Sequence, residues 1–239
     1  MAVLALPSAE LDALTGNDLL KIAGDVTSHE SRGLVVDRTI QRLGRIDALV
    51  NSAGVGLYAP PSTLPLDLLS RVIDINVVGS LAMSQLVIPW MRERGSGVIV
   101  NMGSVSASVA MPWAAGYCAS KAALDSLHES LRRELKGDCI HLVKACLGIV
   151  STGFREHVLT GRAPEGVARI RRMVPPEIVA EKIYRAIERR RQIVYVPAIA
   201  RLFTLMQSLT PGLMDWYLGK YYQRDSESPE RLKKFASGR

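Results

Sequence analysis

The residues best suited to chemistry lie in Tyr117-Cys118-Ala119-Ser120-Lys121. On a helix, a four-residue separation puts the Tyr117 phenol and the Lys121 ammonium on one face, about one turn apart. A cation so placed favours the phenolate and predicts a tyrosine pKa drawn down from about 10 towards the range of a general acid/base. Upstream, Ser104 follows the apolar run Val98–Met102, within Asn101-Met102-Gly103-Ser104. Ligands of open α/β sheets sit at the carboxyl ends of strands, and a hydroxyl there can bond a carbonyl oxygen. Ser106 competes with Ser104 for that role, Ser108 more weakly, and all three could instead satisfy turn backbone. Tyr-x-x-x-Lys by itself also describes an ordinary surface helix pair, so its neighbours must decide.

Two further features fall in order. Asn51-Ser52-Ala53-Gly54 follows the apolar strand Asp47–Asn51 and offers small residues where a ligand could approach backbone closely. Asn76, in Asp74-Ile75-Asn76-Val77, interrupts the apolar face of a long helical pattern in which asparagine is a poor former.

The elements that must position these residues alternate short apolar runs with amphipathic segments, the mark of βαβ units and a parallel sheet. Strands are expected at Ala2–Leu6, Leu19–Ala23, Asp47–Asn51, Gly97–Met102, Ile140–Cys146 and Gln192–Val196. Helices are expected at Glu10–Leu14, His29–Leu43 (closed by Gly44), Leu66–Arg94 (kinked or bounded near Pro89), Ala114–Lys136 and Pro175–Arg190. Val98, Ile99 and Val100 in a row predict a strand covered on both faces. Ser151–Met173 reads as a mobile segment. Beyond a domain spanning residues 1–197, residues 198–222 form an apolar segment split by Pro211-Gly212, and 223–239 a polar, frayed tail.

Of 239 residues, 48% are hydrophobic and 22% charged, which excludes a disordered chain. A net charge of +7 raises nucleic acid, but the cations are dispersed and no nucleic-acid motif accompanies them. No nucleic-acid partner is therefore expected. Cys118, Cys139 and Cys146 show no metal-like pairing; Cys139 and Cys146 lie in or beside an apolar strand and are read as buried free thiols. No metal site is expected, and free thiols suit a reducing, cytoplasmic compartment. No signal peptide and no uninterrupted membrane span are read from the sequence.

Taken together, Asn-Ser-Ala-Gly, the helical Asn, the Ser after the strand, Tyr-x-x-x-Lys and Gly148-Ile149-Val150-Ser151-Thr152 resemble the classical short-chain dehydrogenase/reductase family. The resemblance runs from Val3 to about Val196. It implies a Rossmann-type, doubly wound parallel α/β fold and hydride transfer between NAD or NADP and an alcohol/ketone pair. It further implies that Tyr117 is the general acid/base and that Lys121 lowers its pKa and holds the nicotinamide ribose. Ser104 would orient the reacting oxygen and Asn76 would hold a relay water. Asp25 and Val26, in Gly24-Asp25-Val26, match the adenine-ring turn; Asn51, Ala53 and Gly54 match the loop under the adenine side; Thr152 matches the threonine at the carboxamide. A homo-oligomer and a small alcohol or carbonyl substrate follow from the same likeness.

The sequence also departs from the family. The opening strand and its Thr-Gly-x-x-x-Gly-x-Gly turn, which would receive the pyrophosphate at a helix N-terminus, have no counterpart before Val3. The likeness starts at the family's second strand, about 25–30 residues in. Dinucleotide binding is accordingly expected to be weakened. The absent strand is central in the order 3-2-1-4-5-6, so either the sheet has a gap or the Ala2–Leu6 strand slides into it. Leu6-Pro7 stand where a charged residue would choose NAD or NADP, and Leu147 replaces a usual proline. A displaced start or truncated copy is one explanation; a catalytically impaired relative serving as a non-catalytic interaction subunit is the other. Phe154, Val158 and Leu159 suit an apolar or lipid-like substrate, and residues 198–222 suit either packing or peripheral membrane contact.

Overall fold

The computed structural model describes residues 1–16, 18–155, 158–161 and 173–222. Strands and helices alternate in chain order: β1 (Ala2–Ala5), α1 (Ala9–Ala13), β2 (Leu20–Ala23), α2 (His29–Leu43) and β3 (Ala48–Asn51). Then come α3 (Leu66–Ile73), a π-helical turn (Asp74–Val78), α4 (Gly79–Arg94), β4 (Gly97–Ser104), α5 (Ala115–Glu134) and β5 (Ile140–Leu147). The last elements are α6 (Pro176–Glu188), β6 (Ile193–Val196), α7 (Ala200–Leu209) and α8 (Pro211–Tyr222). Local chemistry sets several ends. Ser28 Oγ accepts from the Ser31 N–H at 3.2 Å to start α2, and Gly44 ends it at φ 71°, a conformation that favours glycine.

All strand pairings are parallel, in two sheets: β1-β2, and β3-β4-β5-β6. Of the two outcomes expected for the sheet centre, the gap is the one found, since β1 pairs with β2 and not with β3. What joins the halves is helix packing. Ile22 of β2 and Val35 and Val36 of α2 share a core with Met83, Val87 and Met91 of α4 and Ile99 of β4. Val26 reinforces the junction, because a Cβ on Gly79 would meet its methyls at 3.0 Å.

Alternation along β4 and β5 divides the core between two helical layers, as the unbroken apolar run predicts. Ile99 and Leu142 face the α2/α4 side, whereas Val100 and Val143 face Val179 and Ile183 of α6. The helical pattern Leu66–Arg94 differs from expectation in where it breaks. It runs through Pro89 and closes at Gly95, and its irregular turn is the π-helix around Asn76. Such turns gather at functional sites. By length and composition Leu66–Arg94 could cross a membrane, but half of its most apolar stretch is buried in the core.

Residues 198–222 form two helices that part at Thr210–Pro211. Ala200 and Met214 are buried, and the Phe203 and Tyr217 rings lie 6.1 Å apart. Ile199, Leu202, Leu205, Leu209, Leu213 and Trp216 are exposed. One thiol contradicts the sequence reading: Cys139 is exposed, in a left-handed turn (φ 56°) just before β5, while Cys118 and Cys146 are buried. Its turn position, one residue short of the strand, keeps it out of the core. The tail 223–239 and much of the Ser151–Met173 segment lie outside the described residues.

Candidate active site

Ser104 is the last residue of β4, paired with Leu147 at the carboxyl edge of the sheet. Its buried hydroxyl donates to the Leu147 carbonyl at 3.4 Å and accepts from the Ser106 N–H at 3.1 Å. Ser106 is thus buried in a backbone contact with Ser104, and Ser108 is exposed. On α5, Lys121 Nζ lies 5.8 Å from the centre of the Tyr117 ring, which confirms the shared helical face. Lys121 also donates to the Met102 carbonyl at 2.9 Å, so it ties α5 to the end of β4.

The electrostatics differ from the expectation of a lowered tyrosine pKa. Burial pushes the Tyr117 phenol above its ordinary value; the Ser104 hydroxyl pulls it back, while Tyr58 and Cys118 add to the rise. Desolvation prevails: Lys121 directs its ammonium at Met102, and the Phe154 ring packs 5.7 Å from that of Tyr117. Burial likewise lowers Lys121 to about 8, with Asp125 opposing. At neutral pH the pair is therefore a neutral phenol beside an ammonium.

Asn76 reaches from the π-turn to the loop after β3. Its Oδ1 accepts from the Val55 N–H at 2.8 Å and its Nδ2 donates to the Val55 carbonyl at 3.0 Å. The same Nδ2 donates to Ser120 Oγ at 2.9 Å, and Ser120 Oγ donates to the Tyr117 carbonyl at 2.7 Å. A Cβ on Gly54 would stand 3.3 Å from Asn76 Oδ1 and 3.6 Å from Lys121 Nζ. Glycine there keeps open the space between loop and ammonium.

The remaining residues singled out in the sequence make local contacts of their own. Ala53 is exposed beyond the buried Asn51, whose Nδ2 donates to Ser80 O, Ser84 Oγ and Asn101 Oδ1 at 3.1, 3.2 and 2.8 Å. Asp25 closes a turn by accepting from the Thr27 N–H and hydroxyl, both at 2.8 Å, and the Val26 carbonyl accepts from Arg32 at 2.7 Å. Thr152 is exposed and its hydroxyl accepts from the Phe154 N–H at 3.4 Å.

Around Tyr117 the walls are apolar. Tyr58 and Cys118 are buried together with Met111 and Val158 packed on them. A strap holds one wall in place: the Leu159 N–H donates to Gly56 O at 2.9 Å, and the Tyr58 N–H to Thr160 O at 3.2 Å. A Cβ on Gly56 would meet Val158 at 2.9 Å, so the strap needs glycine there.

A parallel α/β domain with Ser104, Tyr117 and Lys121 converging at the carboxyl end of β4 defines a Rossmann-type protein with a candidate site at that edge. Its family follows from comparison. A profile of the short chain dehydrogenases matches residues 4–163, and the chain belongs to that family. It is 41% identical over 130 residues to human 17-beta-hydroxysteroid dehydrogenase type 1, covering 54% of this chain and 40% of that protein. It is 32% identical over 155 residues to human dehydrogenase/reductase SDR family member 7, covering 64% and 46%. The chain thus spans about half the length of these curated relatives. Among solved structures, a short-chain dehydrogenase from Burkholderia phymatum in complex with NAD superposes with a TM-score of 0.75 at 21% identity, covering 83% of this chain and 78% of that one. One from Streptomyces avermitilis gives 0.74 at 23% identity, covering 90% and 87%. These likenesses confirm the Rossmann-type fold.

Sequence reasoning passed over Ser120, Asn101, His128 and Tyr58. Asn101 carried the same signal as Asn76, a polar residue inside an apolar run. Ser120, Leu124 and His128 recur at four-residue spacing and share the buried face of α5. That spacing could have shown the two polar members as buried.

Proposed function

We propose that this chain is an NAD(P)-dependent oxidoreductase acting on an alcohol/ketone pair. The observation that carries this reading is the convergence of Ser104, Tyr117 and Lys121 with the Asn76-clamped loop. A nicotinamide bound there would exchange a hydride with the substrate's carbinol carbon. Tyr117 Oη gives its proton to the nascent alkoxide in reduction and takes the alcohol proton in oxidation. The neutral phenol favours the reductive direction near pH 7. Ser104 Oγ orients the substrate oxygen. Lys121 has three N–H donors and gives one to Met102 O, which leaves donors for ribose hydroxyls. Asn76, through Val55 and Ser120, fixes loop and helix relative to each other.

The glycine at 54 and the exposed Ala53 support a dinucleotide along the loop, which Asp25 and Val26 would hold at the adenine and Thr152 at the carboxamide. Among the described residues no glycine-rich turn is found for the pyrophosphate, and weakened dinucleotide binding is the expectation to be tested. Tyr58, Met111, Cys118, Phe154 and Val158 support an apolar substrate. The reading extends to a homo-oligomer in the cytoplasm that touches membrane through residues 198–222. The exposed Leu202, Leu205, Leu209 and Trp216 support such a contact. The test is absorbance of reduced nicotinamide with a panel of secondary alcohols and ketones, apolar and polar, at millimolar dinucleotide. Turnover that favours apolar substrates supports the proposal, and none with any substrate refutes it.

A further inference from the structure

A buried chain of side-chain amides leads away from the site to a histidine that the reaction does not use. Its hydrogen-bond directions follow from one fixed point. Ser80 O is a backbone carbonyl and can only accept, so the Asn51 atom 3.1 Å away is the NH₂ group. That group also faces Asn101, 2.8 Å away, which must present Oδ1. Asn101 then presents its own NH₂ to His128 Nδ1 at 3.1 Å. Nδ1 must accept, so the ring is neutral and carries its proton on Nε2.

His128 is 1% exposed, and Nε2 has no hydrogen-bond partner among the described residues. A buried N–H is costly to leave unbonded, so an acceptor is to be sought. Beside the ring is a half-open pocket of about 10 Å³, lined by Ser80, Ser84, Asn101, Leu124 and His128 among others. That is about the room one water needs.

We propose that His128 is a positioning residue: a neutral imidazole, bonded to Asn101 at Nδ1 and to one water at Nε2, that holds Asn51 and through it the Ser52–Gly54 loop. The effect on dinucleotide binding rests on the function proposed above; the placement of the loop does not. A protonated ring would set an N–H against the Asn101 amide. Burial pushes His128 down to about 4, Lys144, Arg132 and His141 act in the same sense, and Glu129 opposes them. The neutral ring therefore stabilises the fold fully above about pH 6.5, and that stability is lost as pH falls towards 4.

Amide hydrogen exchange at Asn51, paired in β3, and at Val55, bonded to Asn76 at the far end of the loop, in His128→Asn and His128→Leu tests this. The asparagine Oδ1 stands where Nδ1 stood and can still accept, whereas leucine cannot. Exchange about tenfold faster in His128→Leu, the loss of roughly one hydrogen bond, with His128→Asn within about twofold of the parent, is expected. Equal exchange in all three proteins would overturn the proposal. Should the leucine variant not fold, nitrogen spectra of the parent imidazole decide. An unprotonated Nδ1 that persists to pH 5 supports it, and a proton on Nδ1 or titration near 6.5 refutes it. Absent dinucleotide binding alongside the expected exchange pattern would sink the oxidoreductase reading and leave this one standing.

Discussion

The carboxamide of Asn76 grips Val55 from both sides, accepting from its N–H at 2.8 Å and donating to its carbonyl at 3.0 Å. A backbone peptide in a loop has no strand partner, and here one side chain supplies both bonds. Because Asn76 also reaches Ser120, it ties the loop after β3 to the helix that bears Tyr117. Asn76→Leu should lose these bonds and leave buried groups unpaired, costing on the order of 2–4 kcal/mol. Asn76→Asp keeps the acceptor for the Val55 N–H but not the donor, and should fall between. Denaturant midpoints of the three proteins check this order; equal midpoints would show that the clamp carries no stability.

Lys121 predicts a conflict between stability and activity. Its ammonium is buried, and burial has lowered it to about 8. A group whose folded pKa lies below its unfolded value disfavours the fold wherever the folded form must carry the charge. Stability should thus rise as pH climbs from about 8 to 10.5. Lys121→Met should stabilise the chain near pH 7, on the order of 1–3 kcal/mol, and abolish turnover. A variant both less stable and inactive would contradict the electrostatic account.

The same lysine should shape the pH profile. Below about 8 the ammonium is present, and above it the cation beside Tyr117 is lost. The kcat/KM for ketone reduction should fall on an alkaline limb near pH 8. A flat profile from pH 7 to 10 would remove Lys121 from its role.

The outer face of α7 carries Leu202, Leu205 and Leu209, all exposed, whereas Ala200 and Met214 hold the helices to the core. Replacing the three leucines with serine should leave the melting temperature within a few degrees, because surface changes usually cost under about 0.5 kcal/mol each. Sedimentation and vesicle flotation should then show which contact is lost. If neither changes, the face serves neither a second copy nor a membrane.

How much of this was legible in the sequence depends on how local each feature is. The α2 boundaries, the break at Pro211 and the Tyr117/Lys121 face follow from caps, proline and helical spacing, which act within a few residues. Asn76 stood out because its polarity opposed its surroundings. Pro89 misled, since helix packing over Leu66–Arg94 tolerated it while the π-helical turn lay at Asp74–Val78. The tyrosine pKa was misjudged because pair spacing shows the cation, while burial of the phenol comes from tertiary packing, including a ring contact with Phe154, 37 residues away in the chain. Cys139 shows the limit of burial read from neighbours, because one left-handed residue at a strand's edge suffices to expose it.

The central claim is that the Tyr117 hydroxyl moves the proton. Turnover of an apolar ketone at saturating reduced dinucleotide, measured for the parent and Tyr117→Phe, tests it most directly. The substitution removes one oxygen and keeps the ring packed on Phe154, so the fold should be unchanged. General acid–base groups supply about 10²–10⁴-fold. A loss of at least about a hundredfold in kcat with dinucleotide binding intact is the predicted result; a kcat within tenfold of the parent would contradict it.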